Sequence, residues 1–159
     1  MNLLNQMILA GRIDRSFYRS LVFDNYATGN AVVVIALVGA LPHIWAISLL
    51  GVGFAILAGL LRAALVTGAI WGVSVYIFKR YGNPRTTFRM VGFANVAFLP
   101  LVFTPLVTPW WVLALFITAV WLFLALRIVA LSQFDLEHPE NSFAAASGLL
   151  GWYISIILF

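Results

Sequence analysis

The sequence predicts an all-α polytopic membrane protein: five transmembrane helices preceded by an amphipathic N-terminal helix. Three observations predict it. Of 159 residues, 64% are hydrophobic and only 9% are charged, against about 45–50% and about 25% in average soluble domains. A soluble fold of this size leaves roughly a third of its unfolded-chain surface in water; lipid instead solvates outward-facing Leu, Ile, Val and Phe at no cost. Finally, the charged residues gather between long apolar stretches, several near the about 20 residues that cross a roughly 30 Å hydrocarbon layer.

Residues 1–23 form the amphipathic segment, and 24–159 the transmembrane domain. Wound as a helix, Arg12, Arg15 and Arg19 share one narrow sector, with Leu3, Met7, Ile13, Phe17 and Leu21 opposite. Such a helix lies in the headgroup plane or packs on the protein's own bundle, and the pattern fits both. Asp14, on the apolar side, either pairs with an arginine or breaks the helix. Met1 to Leu9 does not resemble a secretory signal: its apolar run is short, charges follow, and no small-residue cleavage pattern appears. Insertion is therefore assigned to the internal helices.

The five spans are expected at 27–49, 54–78, 88–106, 110–131 and 143–158. Pro42-His43 sits toward the far end of the first, where proline disrupts helical hydrogen bonding. Gly51 and Gly53 then suggest a tight reversal. Lys79 to Arg85 is a charged loop punctuated by Gly82-Asn83-Pro84. Pro100 and Pro105 interrupt the third span, and Trp110-Trp111 forms an interfacial pair before the fourth. A polar loop, 133–141, precedes the fifth, which at sixteen residues (143–158) is short for a crossing.

Nine Lys and Arg against five Asp and Glu give a net charge of +4. Two clusters carry most of it: Arg12, Arg15 and Arg19 before the first span, and Lys79, Arg80, Arg85 and Arg89 after the second. An even number of crossings puts both on one side, where they serve as basic anchors at the membrane surface. By the positive-inside rule that side is cytoplasmic. The expected location is a bacterial inner membrane, N-terminus inside and C-terminus opposite. The excess charge is assigned to anionic lipid, so no nucleic-acid partner is expected. With no cysteine in the chain, disulfides and thiolate metal sites are excluded.

No Asp or Glu falls inside a predicted span. The two histidines, His43 and His138, fall near opposite membrane faces. Metalloprotease, phosphate-loop and nucleophile-elbow motifs are absent from the sequence. No catalytic residue, metal or cofactor is expected, and His43 is read as an ordinary hydrogen-bonding side chain in preference to a pigment or haem ligand. Arg62 is the one surprising residue, roughly a third of the way across the second span. It is the possible polar site: it either lines a cavity or binds an anionic headgroup, or it snorkels to an interface, the reading the sequence favours. Arg127, near the end of the fourth span, reads as a snorkelling anchor.

Small residues mark helix-packing surfaces. Ala64, Gly68 and Gly72 recur every four positions, and Ala144 and Gly148, with Gly151, line the fifth span. Small side chains let backbones approach closely in lipid. Packing within the bundle is the default assignment, with a partner or self-association as the alternative.

The third to fifth spans carry a further pattern: Phe88-Arg89-Met90-Val91-Gly92-Phe93-Ala94-Asn95-Val96, then Ala119-Val120-Trp121, Arg127-Ile128-Val129-Ala130-Leu131, and Phe143-Ala144-Ala145-Ala146 through Gly151-Trp152. This order resembles the Yip1 domain family over about residues 25–155, in the short bacterial form. The resemblance implies five membrane helices with a cytoplasmic N-terminus, and hardly any biochemistry. The family's usual proline soon after the Gly-aromatic-Ala triplet is Ala97 here, with proline delayed to Pro100, which displaces the expected kink. The long cytosolic region of eukaryotic members is missing, so their Rab GTPase and vesicle-traffic role is not carried over.

The resulting expectation is a non-catalytic integral membrane protein acting through protein or lipid interaction, an accessory subunit of a larger membrane complex being one form of it. The alternative is a small oligomeric transporter or channel component with Arg62, Asn95 and the span-three prolines lining its path.

Overall fold

The computed structural model describes residues 2–24, 26–41, 49–106 and 111–158. Every regular element among them is helical: α1 (Leu3–Gly11), α2 (Arg15–Ser20), α3 (Ala27–Ala40), α4 (Leu49–Gly72) continued by a π-helical turn (Val73–Ile77), α5 (Pro84–Ala94) continued by a 3-10 helix (Asn95–Leu106), α6 (Trp111–Phe134) and α7 (Glu140–Leu158). Among the described residues three helices are long and apolar enough to cross a membrane, Leu50–Ile77, Trp111–Phe134 and Glu140–Leu158; Ala27–Ala40 is a shorter apolar helix. α4 packs on both α3 and α7.

The N-terminal segment is two short helices, not one. Ile13 takes a left-handed conformation, φ 57°, which a β-branched residue rarely adopts. Asp14 then caps α2, its carboxylate accepting from the Phe17 N–H at 2.9 Å and from the Ser16 hydroxyl. The pair packs on the bundle. Gln6 accepts from the Asn30 amide at 2.8 Å, and the Trp121 indole donates to the Gly11 carbonyl at 2.9 Å. Trp121 lies about 15 Å along α6 from Trp111, at 1.5 Å per residue. α1 is therefore held against the midsection of α6 and not across its end.

Gly51 and Gly53, expected at a reversal, lie inside α4, which is already helical at Leu49. Pro42, His43, Thr108, Pro109 and Trp110 lie outside the described residues. α7 begins three residues earlier than expected, at Glu140, and its 19 residues rise about 28 Å. The extra turn starts with an acidic residue, which the positive end of the helix dipole favours.

The third predicted span changes character at Asn95. Pro100 has no N–H to donate, and its ring crowds the carbonyl four residues back, so regular α-helix is disfavoured in the turn before it. The α-helix accordingly ends at Ala94, and the Asn95 side chain donates to the Val91 carbonyl at 2.8 Å. The break thus follows the Gly92-Phe93-Ala94 triplet directly and is not displaced to the proline itself.

Close backbone packing falls at glycines that differ in part from those expected. A Cβ on Gly92 would sit 2.7 Å from Ala31 Cβ, where α5 crosses α3. On Gly148 it would meet Ile70 and Leu126 at 2.8 Å, and on Gly151 the Leu65 carbonyl at 3.2 Å; Ala144 is fully buried beside them. Gly68 and Gly72 have nothing within 4 Å of such an atom, and Ala64 is exposed. The α4 stripe therefore faces away from the bundle. The α4–α7 seam uses the neighbouring face, where the Ser147 hydroxyl donates to the Ala69 carbonyl at 3.2 Å.

Candidate functional site

Two features stand out from the apolar surface: a basic, aromatic end and a cavity around Arg62. At the first, Lys79, Arg80 and Arg85 are exposed in the segment joining α4 to α5; Arg15 and Arg19 on the N-terminal arm are exposed as well, and Arg12, also exposed, follows Gly11 beside Trp121 at the midsection of α6. Phe23, Tyr26, Tyr76 and Tyr81 protrude nearby in the chain, all mostly exposed. Asn83 caps α5 by accepting from the Arg85 N–H, and the Trp71 indole donates to the Gly82 carbonyl at 3.0 Å, tying the segment to α4. Arg80 pairs with Glu140 at 3.7 Å, an exposed contact of small energetic weight. His138 is exposed in the connection between α6 and α7.

Arg89 does not belong with these anchors. Its side chain is 4% exposed and donates to the Leu21 carbonyl and, at 3.1 Å, to the Thr28 hydroxyl. Placed one turn inside α5, it faces α3 and the end of α2, so its charge ties elements together instead of facing the membrane surface. Arg127 is half-buried beside Ile13, Leu131 and Asn141, with its Nε buried and unpartnered among the described residues.

The second feature is a cavity of about 320 Å³ between α3, α4 and the 3-10 helix. Gly51, Ala55, Ala58, Gly59 and Arg62 supply the α4 wall; Ile35, Val38 and Gly39 the α3 wall; Asn95, Phe98 and Leu101 the third. α3 and α4 approach closely here: a Cβ on Gly39 would lie 3.1 Å from the Ala55 carbonyl oxygen. The cavity runs from Arg62 toward the end where α3 finishes and α4 begins.

Arg62 lies about 20 Å along the helix from either end of the α4–π element, further than its side chain reaches. Its guanidinium carbon stands 5.6 Å from the centroid of the Phe98 ring, a cation–π distance. Among the described residues its buried Nε has no hydrogen-bond partner and no carboxylate lines the cavity. The sequence favoured a snorkelling Arg62 with Gly51 to Leu60 interfacial. These residues are α-helix continuous with the rest of α4, and Arg62 is in the lining of the cavity. Phe98 and the glycine wall escaped the sequence reading. A signal was present: Gly51, Ala55 and Gly59 recur every four positions, leading to Arg62 on the same helical face.

Among the described residues, no three His, Asp or Glu side chains gather as a metal site would require. No family model, curated protein or solved structure matches this chain.

Proposed function

We propose that this is a five-span, non-catalytic integral membrane protein of the Yip1-domain type that acts by interacting with membrane lipid and with other membrane proteins. The observation that carries the reading is the partition of its surface. The α4, α6 and α7 faces expose Leu, Ile, Val and Phe along their lengths, while Lys79, Arg80 and Arg85 lie exposed in the segment between α4 and α5 that holds Tyr81, and Arg12, Arg15 and Arg19 lie exposed along the N-terminal arm. Aromatic side chains settle at the membrane–water interface and cations at the anionic cytoplasmic leaflet. Two shorter elements complete the five crossings. α5 and the 3-10 helix together rise about 40 Å, at about 1.5 and 2.0 Å per residue, and α3 enters the first. An N-terminus in the bacterial cytoplasm follows from the same charges.

Vesicle partition tests this reading. Protein refolded into anionic vesicles should be stabilised over zwitterionic ones, and changing Arg12, Arg15, Arg19, Lys79, Arg80 and Arg85 to Gln should abolish the difference. Equal thermal stability of the parent protein in both vesicles would contradict it. A second reading, a subunit of a small transporter, is favoured by one observation: an arginine without a counter-charge lines a cavity midway along a membrane-length helix. Flux of a small anion through reconstituted vesicles, lost in Arg62→Gln, would establish it.

A further inference from the structure

We infer that the cavity beside Arg62 is a binding site for one anionic oxygen group, a phosphate or carboxylate, carried by a small or single-chain ligand. The inference rests on the membrane-embedded reading above. A cation at the centre of a spanning helix costs about 2.5–3.5 kcal/mol on insertion scales, and such residues face a polar cavity or a partner. Arg62 has the cavity, and among the described residues no carboxylate lines it and the buried Nε of Arg62 has no hydrogen-bond partner. A guanidinium carries five donors in a planar fork that matches two oxygens of one phosphate or carboxylate.

The surroundings fit that ligand in three respects. Phe98, its ring 5.6 Å from the guanidinium carbon, braces the cation on one side. Asn95, in the cavity lining, donates one amide proton to the Val91 carbonyl at 2.8 Å, and its amide carries a second donor hydrogen. The remaining lining is neutral, with Phe54, Val38 and Leu101 offering apolar surface for a short chain. Among the described residues the wall has no acidic side chain, so a cationic ligand would face Arg62 without a counter-charge. The volume, about 320 Å³, stands at the low end of small-molecule pockets, so the bound part is a headgroup or a small molecule and not a two-chain lipid.

The test uses two probes: inorganic phosphate added to protein in zwitterionic nanodiscs, and lysophosphatidic acid added to protein in a neutral detergent. Thermal midpoint and native mass report binding. At least one probe should raise the midpoint and add its mass. Arg62→Gln should weaken that binding by about 10- to 100-fold, the range set by charge-assisted hydrogen bonds, while Arg127→Gln leaves it unchanged. Response to phosphate identifies a soluble anion as sufficient; response to the lysolipid alone identifies a headgroup with its chain. Ala58→Leu, which fills the cavity and keeps the charge, should weaken binding too and serves if Arg62→Gln fails to fold. Binding of neither probe, or undiminished binding by these variants, overturns the inference. Carbonate extraction of membranes from the expressing cells reports membrane insertion separately, so failure of the embedded reading is distinguishable from failure of the site.

Discussion

The indole N–H of Trp121 donates to the carbonyl of Gly11 at 2.9 Å, joining residues 110 positions apart in the chain. This bond fixes the end of α1 to the midsection of α6, and a Cβ on Gly11 would already touch the same indole at 3.6 Å. Trp121→Phe keeps most of the packing and removes the donor. It should lower stability by about 1 kcal/mol and speed amide exchange across residues 3–11 more than elsewhere. Exchange unchanged in that segment would mean that the arm is held by apolar contact alone.

Gly92→Ala should be far more damaging than Gly68→Ala. The added methyl at Gly92 meets Ala31 Cβ at 2.7 Å and the Ala31 carbonyl at 3.3 Å, neither of which can move without its helix. Overpacking of this kind costs about 1–3 kcal/mol. At Gly68 the methyl meets open space. Thermal unfolding in detergent of both variants decides the matter; equal midpoints would show that α3 and α5 do not cross at this distance.

Arg89→Met should destabilise the fold where Arg85→Met does not. The first leaves the Leu21 carbonyl and Thr28 hydroxyl without their charged donor, a loss of about 1.5–3 kcal/mol. The second alters an exposed side chain and should stay within about 0.5 kcal/mol. Similar midpoints for the two variants would return Arg89 to the surface.

Acid should loosen α2 through its cap. The Ser16 hydroxyl and the Phe17 N–H both donate to Asp14, and they hold its carboxyl below its ordinary value of 3.8. A group whose pKa falls on folding adds stability that is complete above the unfolded value and is lost as pH drops through the folded one. Protection of the Phe17 and Tyr18 amides should therefore hold above pH 3.8 and decline below it, and Asp14→Ala should remove the dependence. A pH-independent profile in the parent chain would contradict the capping role.

Much of this architecture was legible because lipid imposes simple demands on a chain. The apolar runs ending near Ile77, Phe134 and Leu158, and the charged stretches between them, map onto helices and connections with small shifts. What stayed hidden depends on which face of a helix finds a neighbour. Ala64, Gly68 and Gly72 have the spacing of a packing stripe, yet α7 seats one face over, against Leu65 and Ala69. Arg89 looks like part of a basic cluster because the chain before it is charged, but its position on α5 points it at α3. Arg62 illustrates the same limit: its depth depends on where α4 starts, and Gly51 and Gly53 read as a turn although helix tolerates them. The 3-10 helix was half visible, since Pro100 forecasts a break whereas Asn95 decides where it begins.

The most direct measurement uses the absence of cysteine from the chain, which makes single-cysteine variants unambiguous. Arg62→Cys, Ala58→Cys and Gly68→Cys would be labelled in sealed vesicles with a small, charged, membrane-impermeant thiol reagent applied from each side in turn. The account predicts reaction at positions 58 and 62 from the side opposite the Lys79–Arg85 loop, and none at position 68, which faces lipid. Labelling of all three alike, or reaction at position 62 only from the side of that loop, would contradict a cavity that runs from Arg62 toward the far end of the bundle.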